Sequence, residues 1–236
     1  AGQIAESASF IGGRTDAAER HGTAVAGIVA ARADNHVGIA GVAPEARLLA
    51  LRACRQASAE TVCTTLSLAL AMHAAIDRGA QVINLSLAGP HDRLIEQLVR
   101  AALERDISVV AAADRALASG GFPAALRGVV AVVDEAAGAA PGGMVAAPGS
   151  DVPTTVPASG WGVVSGASYA AAHVSGLLAL MHEVRGKARR SDSVAGGLAL
   201  GAGGRVDACT SLVRAGAACA CDCTAAGAMA ASIAPR

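Results

Sequence analysis

Short apolar runs rich in Val, Ile and Leu alternate along the chain with segments whose apolar residues recur at helical spacing. The runs predict strands at residues 4–11, 46–53, 81–87, 107–113 and 129–133, with a short strand near residues 144–147. The helical spacing predicts helices at residues 23–32, 64–78, 92–105, 169–184 and 204–213. Residues 135–163, rich in Gly and Pro, are predicted to be mostly loop. Strands that alternate with helices indicate an α/β fold with a mainly parallel sheet.

Length and composition indicate one large domain followed by a short tail. Of the 236 residues, 53% are hydrophobic and only 2% are aromatic, so Ala, Val, Leu and Ile must build the core. We assign residues 1–214 to the domain and residues 215–236 to a cysteine-containing C-terminal tail. The 19 basic and 19 acidic residues balance, and no basic patch typical of nucleic-acid-binding proteins is present. No apolar run has the length of a membrane span.

The cysteines form two local groups, one flanking a short polar loop and one near the C-terminus. An even number in local groups favours disulfide bonds in an exported protein. We expect a bacterial protein that is periplasmic, on the cell surface or secreted. The C-terminal group could instead bind zinc, although its C-x-C-x-C spacing differs from the usual C-x2-C pairs. The candidates for disulfide bonds are Cys54, Cys63, Cys209, Cys219, Cys221 and Cys223.

Two further segments carry residues suited to catalysis. His21 opens the segment H-G-T-A-V-A-G at the start of a helix of small residues. A helix N-terminus disfavours a protonated imidazole, so this histidine should be neutral and able to act as a general base. Ser168, in G-A-S-Y-A-A-A-H-V-S-G, follows a glycine at the head of an apolar helix. It could cap the helix or act as a nucleophile whose own N–H stabilises an oxyanion.

Taken together and in this order, the two segments resemble those of the subtilisin-like serine peptidases. The near match to G-x-S-x-G at residues 166–170 ends in Ala, and no oxyanion-loop motif accompanies it, so an α/β-hydrolase is not favoured. Other segments resemble the subtilisin-like family in the same order, at residues 38–44, 82–90, 147–149 and 204–208.

This resemblance implies a three-layer α/β fold with a mainly parallel sheet, and an endopeptidase that cleaves extended polypeptides. It implies that His21 is the general base and Ser168 the nucleophile. It also implies that an extended substrate pairs as an added strand with the backbone of Ser86, Leu87, Ala88 and Gly89. No cofactor and no catalytic metal are implied, while calcium, which is common in the family, is allowed.

The family's catalytic aspartate has no counterpart in the expected place. In the family it lies on a mid-sheet strand upstream of the histidine. The acids before His21 are Glu6, Asp16 and Glu19. Asp16 lies five residues before the histidine in a Gly- and Arg-rich loop, and no strongly apolar strand leads into it. We therefore expect the peptidase domain to be N-terminally incomplete and to lack that strand. A separate N-terminal fragment carrying the aspartate is our hypothesis for the missing part.

The family's A-A-G-N turn, whose Asn donates a hydrogen bond to the oxyanion, reads A-A-A-D-R at residues 111–115. Alignment by strand length places Arg115 at the Asn position, and alignment by residue type places Asp114 there. An Arg could donate to the oxyanion, whereas an ionised Asp would repel it. Two hypotheses follow from these departures. One is a serine endopeptidase, and the other is a pseudopeptidase of the same fold that binds peptides or a partner.

Overall fold

The computed structural model describes residues 3–12, 19–57, 60–158, 160–186 and 193–218. The α-helices of this part are α1 (Arg20–Ala30), α2 (Thr65–Asp77), α3 (Arg93–Glu104), α4 (Ala167–Arg185) and α5 (Ala208–Ala215). The strands are β1 (Ile4–Ser9), β2 (Leu48–Arg52), β3 (Cys54–Ala57), β4 (Glu60–Cys63), β5 (Val82–Leu85), β6 (Ser108–Ala112), β7 (Val130–Asp134), β8 (Val145–Ala147), β9 (Val152–Val156), β10 (Gly160–Val164), β11 (Ala199–Leu200) and β12 (Val206–Asp207).

A parallel sheet in the order β5-β6-β7-β8 forms the centre of the fold. Strands β1 and β2 form a second, two-stranded parallel sheet. The pairs β3–β4, β9–β10 and β11–β12 are antiparallel. Parallel strands joined through helices confirm the predicted α/β class with a mainly parallel sheet.

Helices cover both faces of the four-stranded sheet, which gives three layers. Successive side chains of a strand point to opposite faces, and both faces are apolar here. Val109 and Ala111 lie in the cluster that also contains buried residues of α2 and α3. Val110 and Val132 lie in the cluster that contains Leu178 of α4. The near-continuous apolar run of β6 is therefore explained by burial on both sides.

The predicted loop at residues 135–163 is wrong in part, because β9 lies inside it and β10 begins in it. Val152, Thr154 and Val156 alternate along β9, and β-branched residues favour a pleated, half-buried surface. Neighbouring Gly and Pro residues concealed this short pattern. The polar segment between Cys54 and Cys63 is likewise a pair of strands, β3 and β4.

Strands β2 and β5 each have one edge that pairs with no other described strand. Leu51 of β2 packs against the apolar cluster that contains Ile83 and Leu85 of β5. The two sheets therefore share one core although no hydrogen-bonded ladder joins them among the described residues.

Candidate active site

Helix α1 carries His21 in its first turn and is fixed by the β9–β10 hairpin. The hydroxyl of Thr154 donates to the carbonyl oxygen of Ala24 at 2.7 Å, and that of Thr155 donates to the carbonyl oxygen of Thr23 at 2.9 Å. A Cβ atom on Gly27 would come within 2.3 Å of Thr155 Oγ1, so only glycine permits this close approach. The hairpin therefore sets the position of the helix that presents His21.

The electrostatic surroundings of His21 favour a neutral ring. Burial lowers the pKa of His21, and the negative charge of Glu19 opposes this effect. A neutral imidazole can accept a proton, as a general base must. The direction of the pKa shift agrees with the sequence-based expectation, and burial is its leading cause.

A glycine turn places Ser168 in the first turn of α4. Gly166 precedes the helix with φ of 140°, a conformation that favours glycine. Its N–H donates to the carbonyl oxygen of Gly149 at 2.7 Å. Asp134 holds that neighbouring turn, because its carboxylate accepts from the N–H of Gly149 at 3.1 Å and from the hydroxyl of Ser150. The turn that precedes Ser168 is thus fixed to the end of β7 through Asp134.

The structure brings the histidine and serine segments together. The ring of His21 and the ring of Tyr169, the residue after Ser168, have centroids 5.6 Å apart. The N–H groups of Tyr169 and Ala170 donate to the carbonyl oxygen of Gly166, whereas the N–H of Ser168 donates to no described residue. An open N–H in the first turn of a helix can bind an oxyanion.

The predicted substrate-pairing segment lies beside Ser168. The Ser86 hydroxyl donates to the carbonyl oxygen of Ser168 at 2.9 Å. Leu87 packs against the core, while Ala88 and Gly89 are exposed. Gly89 pairs with Phe122 through one bridge, in which its N–H donates to the carbonyl oxygen of Phe122 at 3.1 Å. The backbone between β5 and this bridge forms no ladder with another described segment, so it has room for an added strand.

Asp114 and Arg115 make local hydrogen bonds. The carboxylate of Asp114 accepts from the N–H of Ala116 at 2.9 Å, which is a common way to close a turn. The Arg115 guanidinium donates to the carbonyl oxygens of Gly138 and Ala139. Neither side chain hydrogen-bonds a residue of the Ser168 segment. In this arrangement the N–H of Ser168, which donates to no described residue, is available to an oxyanion.

Both described carboxylates upstream of His21 are paired with arginines. Glu6 accepts from Nε of Arg78 at 2.8 Å, and Glu19 accepts from Nε of Arg52 at 3.1 Å. Neither hydrogen-bonds the His21 ring, and Asp16 lies outside the described residues. The part of the chain that is described therefore holds a Ser–His pair whose histidine has no carboxylate orienting it.

One predicted disulfide bond is present, between Cys54 and Cys63. Cys209 lies in α5, while Cys219, Cys221 and Cys223 fall outside the described residues, so the zinc alternative for this group is not addressed. Within the described ranges, no three His, Cys, Asp or Glu side chains converge on a point that could hold a metal ion.

Sequence reasoning missed four residues that support the site. Thr154 and Thr155 position α1, while Asn84 and Ser175 continue the hydrogen bonds that begin at Ser86. Apart from Ser86, which is two positions from Asn84, their partners lie 91 to 132 positions away in the chain. No local pattern in the sequence reports such contacts. The small residue Gly27 was the one available sign that another element approaches α1.

Comparison with known proteins agrees with this geometry. The family model described as "Subtilase family" matches residues 6–195. The chain is 40% identical to the thermophilic serine proteinase of Bacillus sp. (strain AK1) over 171 residues. This alignment covers 68% of the chain and 42% of that protein. The chain is 36% identical to thermitase of Thermoactinomyces vulgaris, over 68% of the chain and 60% of that protein. For subtilisin DY of Bacillus licheniformis the identity is 36%, over 76% of the chain and 70% of that protein.

Two solved structures have a similar fold. The prenylagaramide maturation protease PagA has a TM-score of 0.71 at 24% identity, over 83% of the chain and 82% of PagA. A serine-to-alanine mutant of the protease domain of PatA has a TM-score of 0.71 at 25% identity, over 90% of the chain and 86% of that domain. The chain spans less than two thirds of the length of some of the curated relatives that it matches. With two thirds or more of its length matched by these proteins and the order of its motifs retained, the chain belongs to the subtilase family.

Proposed function

We propose that this protein is a serine endopeptidase that hydrolyses extended polypeptides. The observation that supports it best is the meeting of α1 and α4, where a neutral His21 lies beside the Ser168–Tyr169 turn and the Ser168 N–H is open. A general base, a nucleophile and an oxyanion donor are the groups that acyl transfer needs. The family assignment gives the same reaction class.

In the proposed mechanism, the substrate pairs with the backbone of residues 86–89 and presents its scissile carbonyl to Ser168. His21 takes the proton of the Ser168 hydroxyl as Oγ attacks, and the Ser168 N–H donates to the resulting oxyanion. The protonated His21 then gives the proton to the leaving amine. Water, activated by His21, releases the acyl group. These steps use side chains, backbone and water only, so the reaction requires no cofactor.

A fluorophosphonate probe tests the proposal, because it reacts with an activated serine nucleophile. We expect the full-length protein to be labelled and Ser168→Ala to remove the label. Ser193→Ala, which changes an exposed serine, is the matched control and should keep it. His21→Ala should slow labelling by several orders of magnitude. A folded wild-type protein that is unlabelled between pH 5 and pH 9 would contradict the endopeptidase and favour the pseudopeptidase.

We further propose that a strand carrying the triad carboxylate binds between β2 and β5. The open edges of these strands and the lack of a carboxylate on His21 in the described residues support it. A parallel or antiparallel strand would pair with the edges of β2 and β5 that no other described strand covers. Intact mass measurement and N-terminal sequencing of the native protein should find a copurifying segment with an apolar strand followed by Asp. A single species without such a segment would exclude it.

We also propose that the protein is exported. The disulfide between Cys54 and Cys63 supports this, because disulfide bonds persist mainly in oxidising compartments. Among the described helices, none has both the length and the apolarity to cross a membrane. Cell fractionation followed by thiol labelling should find the protein outside the cytoplasm with Cys54 and Cys63 protected. No three His, Cys, Asp or Glu side chains converge on one point among the described residues, so a calcium ion bound there would need backbone, amide or water oxygens as further ligands.

A further inference from the structure

A chain of three side-chain hydrogen bonds runs from the middle of α4 through β5 and the residue after it to the start of α4. Ser175 Oγ donates to Asn84 Oδ1, Asn84 Nδ2 donates to Ser86 Oγ, and Ser86 Oγ donates to the carbonyl oxygen of Ser168, each at 2.9 Å. We propose that Asn84, Ser86 and Ser175 are positioning residues that hold the Ser168 backbone in its reactive place. The inference rests on the proposed endopeptidase function and adds residues to that site.

The spacing of the four residues lets this network hold α4 at two points along one face. Asn84 and Ser86 are two positions apart on one side of an extended segment, about 6.6 Å along it. Ser168 and Ser175 are seven positions apart on one face of α4, which is two turns or about 10.5 Å. The extended segment therefore contacts the helix at two heights. A helix held at two points along one face can neither slide nor rotate freely on the sheet.

Each hydrogen bond fixes the direction of the next. The Asn84 amide accepts from Ser175 through its oxygen and donates to Ser86 through its nitrogen. Since a lone pair of the Ser86 hydroxyl is occupied by the Asn84 N–H, its proton is directed to the carbonyl oxygen of Ser168. Ser175 is buried, with 3% of its surface exposed, so water does not compete readily for the far end of the network.

The end of the network lies on the residue that reacts. The carbonyl of Ser168 belongs to the same residue as the nucleophilic Oγ and the open N–H. A small rotation of this first helical turn would displace both groups from the substrate carbonyl. Ser86 also begins the predicted substrate-pairing segment. The same residue therefore fixes the nucleophile relative to the bound peptide, which is an effect on kcat more than on KM.

The experiment measures fluorophosphonate labelling rates and peptide hydrolysis by the full-length protein. Ser86→Ala should lower both the labelling rate and kcat by about 10- to 100-fold while KM changes by less than about 3-fold. Ser86→Thr keeps the hydroxyl and should recover most of the rate. Ser175→Ala removes the far end of the network and should lower kcat by about 3- to 10-fold.

Ser211→Ala is the matched control. Ser211 of α5 is a fully buried serine whose hydroxyl donates to the carbonyl oxygen of Asp207. This variant should lose stability and keep kcat. If Ser86→Ala is labelled at the wild-type rate while Ser168→Ala is not labelled, the positioning role is overturned and the endopeptidase stands. An equal loss of kcat in Ser86→Ala and Ser86→Thr also overturns it. An unlabelled, folded wild-type protein overturns both proposals.

Discussion

The two parallel sheets have strands of similar composition but very different coverage. Strands β2 and β6 each contain four apolar residues out of five. Val109, Val110 and Ala111 of β6 are 0% exposed, because β5 and β7 pair with its edges and helices cover both faces. Every residue of β2 is only half-buried. The burial of a parallel strand therefore depends on its neighbours more than on its own hydrophobicity.

Local links compensate for the weaker coverage of β2. The disulfide of Cys54 begins two positions after Arg52, the last residue of the strand. Arg52 itself pairs with Glu19, which precedes α1. The pair of Arg52 and Glu19 ties β2 to the helix that carries His21. The half-covered sheet thus bears on the position of His21.

The largest expected effect is a difference in unfolding free energy between two Leu→Ala substitutions, one at each parallel sheet. Leu178→Ala, in the fully buried cluster of the four-stranded sheet, should lower the free energy of unfolding by about 3 kcal/mol, because it leaves a cavity. Leu51→Ala in β2 should cost about 1 kcal/mol, since water can reach the half-buried site. Urea unfolding of the chain without the proposed additional strand measures both. Equal losses in this chain would contradict the half-buried state of β2, whereas binding of the proposed strand should raise the cost of Leu51→Ala.

The contacts at Thr23 and Ala24 that hold α1 come from the β9–β10 hairpin and not from either parallel sheet. Gly27→Ala should lower the free energy of unfolding by about 1–3 kcal/mol, because its methyl group would collide with Thr155 in the β9–β10 hairpin. Gly22→Ala in the same helix meets no atom within 4 Å and should leave stability equal or slightly higher. Thermal unfolding distinguishes them. A Gly27→Ala protein as stable as Gly22→Ala would show that the hairpin does not restrain α1.

The sequence could predict the elements that its apolar pattern marks strongly. The run at residues 107–113 became β6, and the amphipathic segment 92–105 became α3. The histidine and serine segments could be recognised because their residues are contiguous. Burial on both faces requires continuous apolar runs, and such runs are readable in any sequence.

The rest depends on contacts between distant residues. The role of Thr154 is set by Ala24, and that of Asn84 by Ser175, so neither could be predicted from neighbours in the chain. The A-A-A-D-R turn left two alignments open, because the direction in which Arg115 points is decided by the carbonyl oxygens of residues 138–139. The gap between β2 and β5 is likewise a property of the assembled sheets.

The smallest predicted effect is a pH dependence of the free energy of unfolding, which arises at the well-covered four-stranded sheet. Nε2 of His182 in α4 lies 3.0 Å from Oγ of Ser108, the buried first residue of β6, and the two atoms share a hydrogen bond. Burial lowers the pKa of His182 from its ordinary value of 6.5, with Asp106 opposing and Arg185 adding to the effect. As the pH falls below about 6.5, the unfolded chain binds a proton at this ring before the folded chain does. Acid therefore lowers the free energy of unfolding.

Replacing the ring isolates this contribution. Gln at position 182 can still hydrogen-bond Ser108 but does not titrate, so His182→Gln should reduce the fall in stability between pH 7.5 and pH 5. Part of the fall should remain, because burial lowers the pKa of His21 as well, with the same sign. His73→Gln, which removes an exposed histidine, is the control and should keep the wild-type fall. Urea unfolding across this pH range measures all three proteins. If the free energy of unfolding of His182→Gln falls as much as that of the wild type, the His182 ring is hydrated in solution. Helix α4 would then leave Ser108 exposed to water.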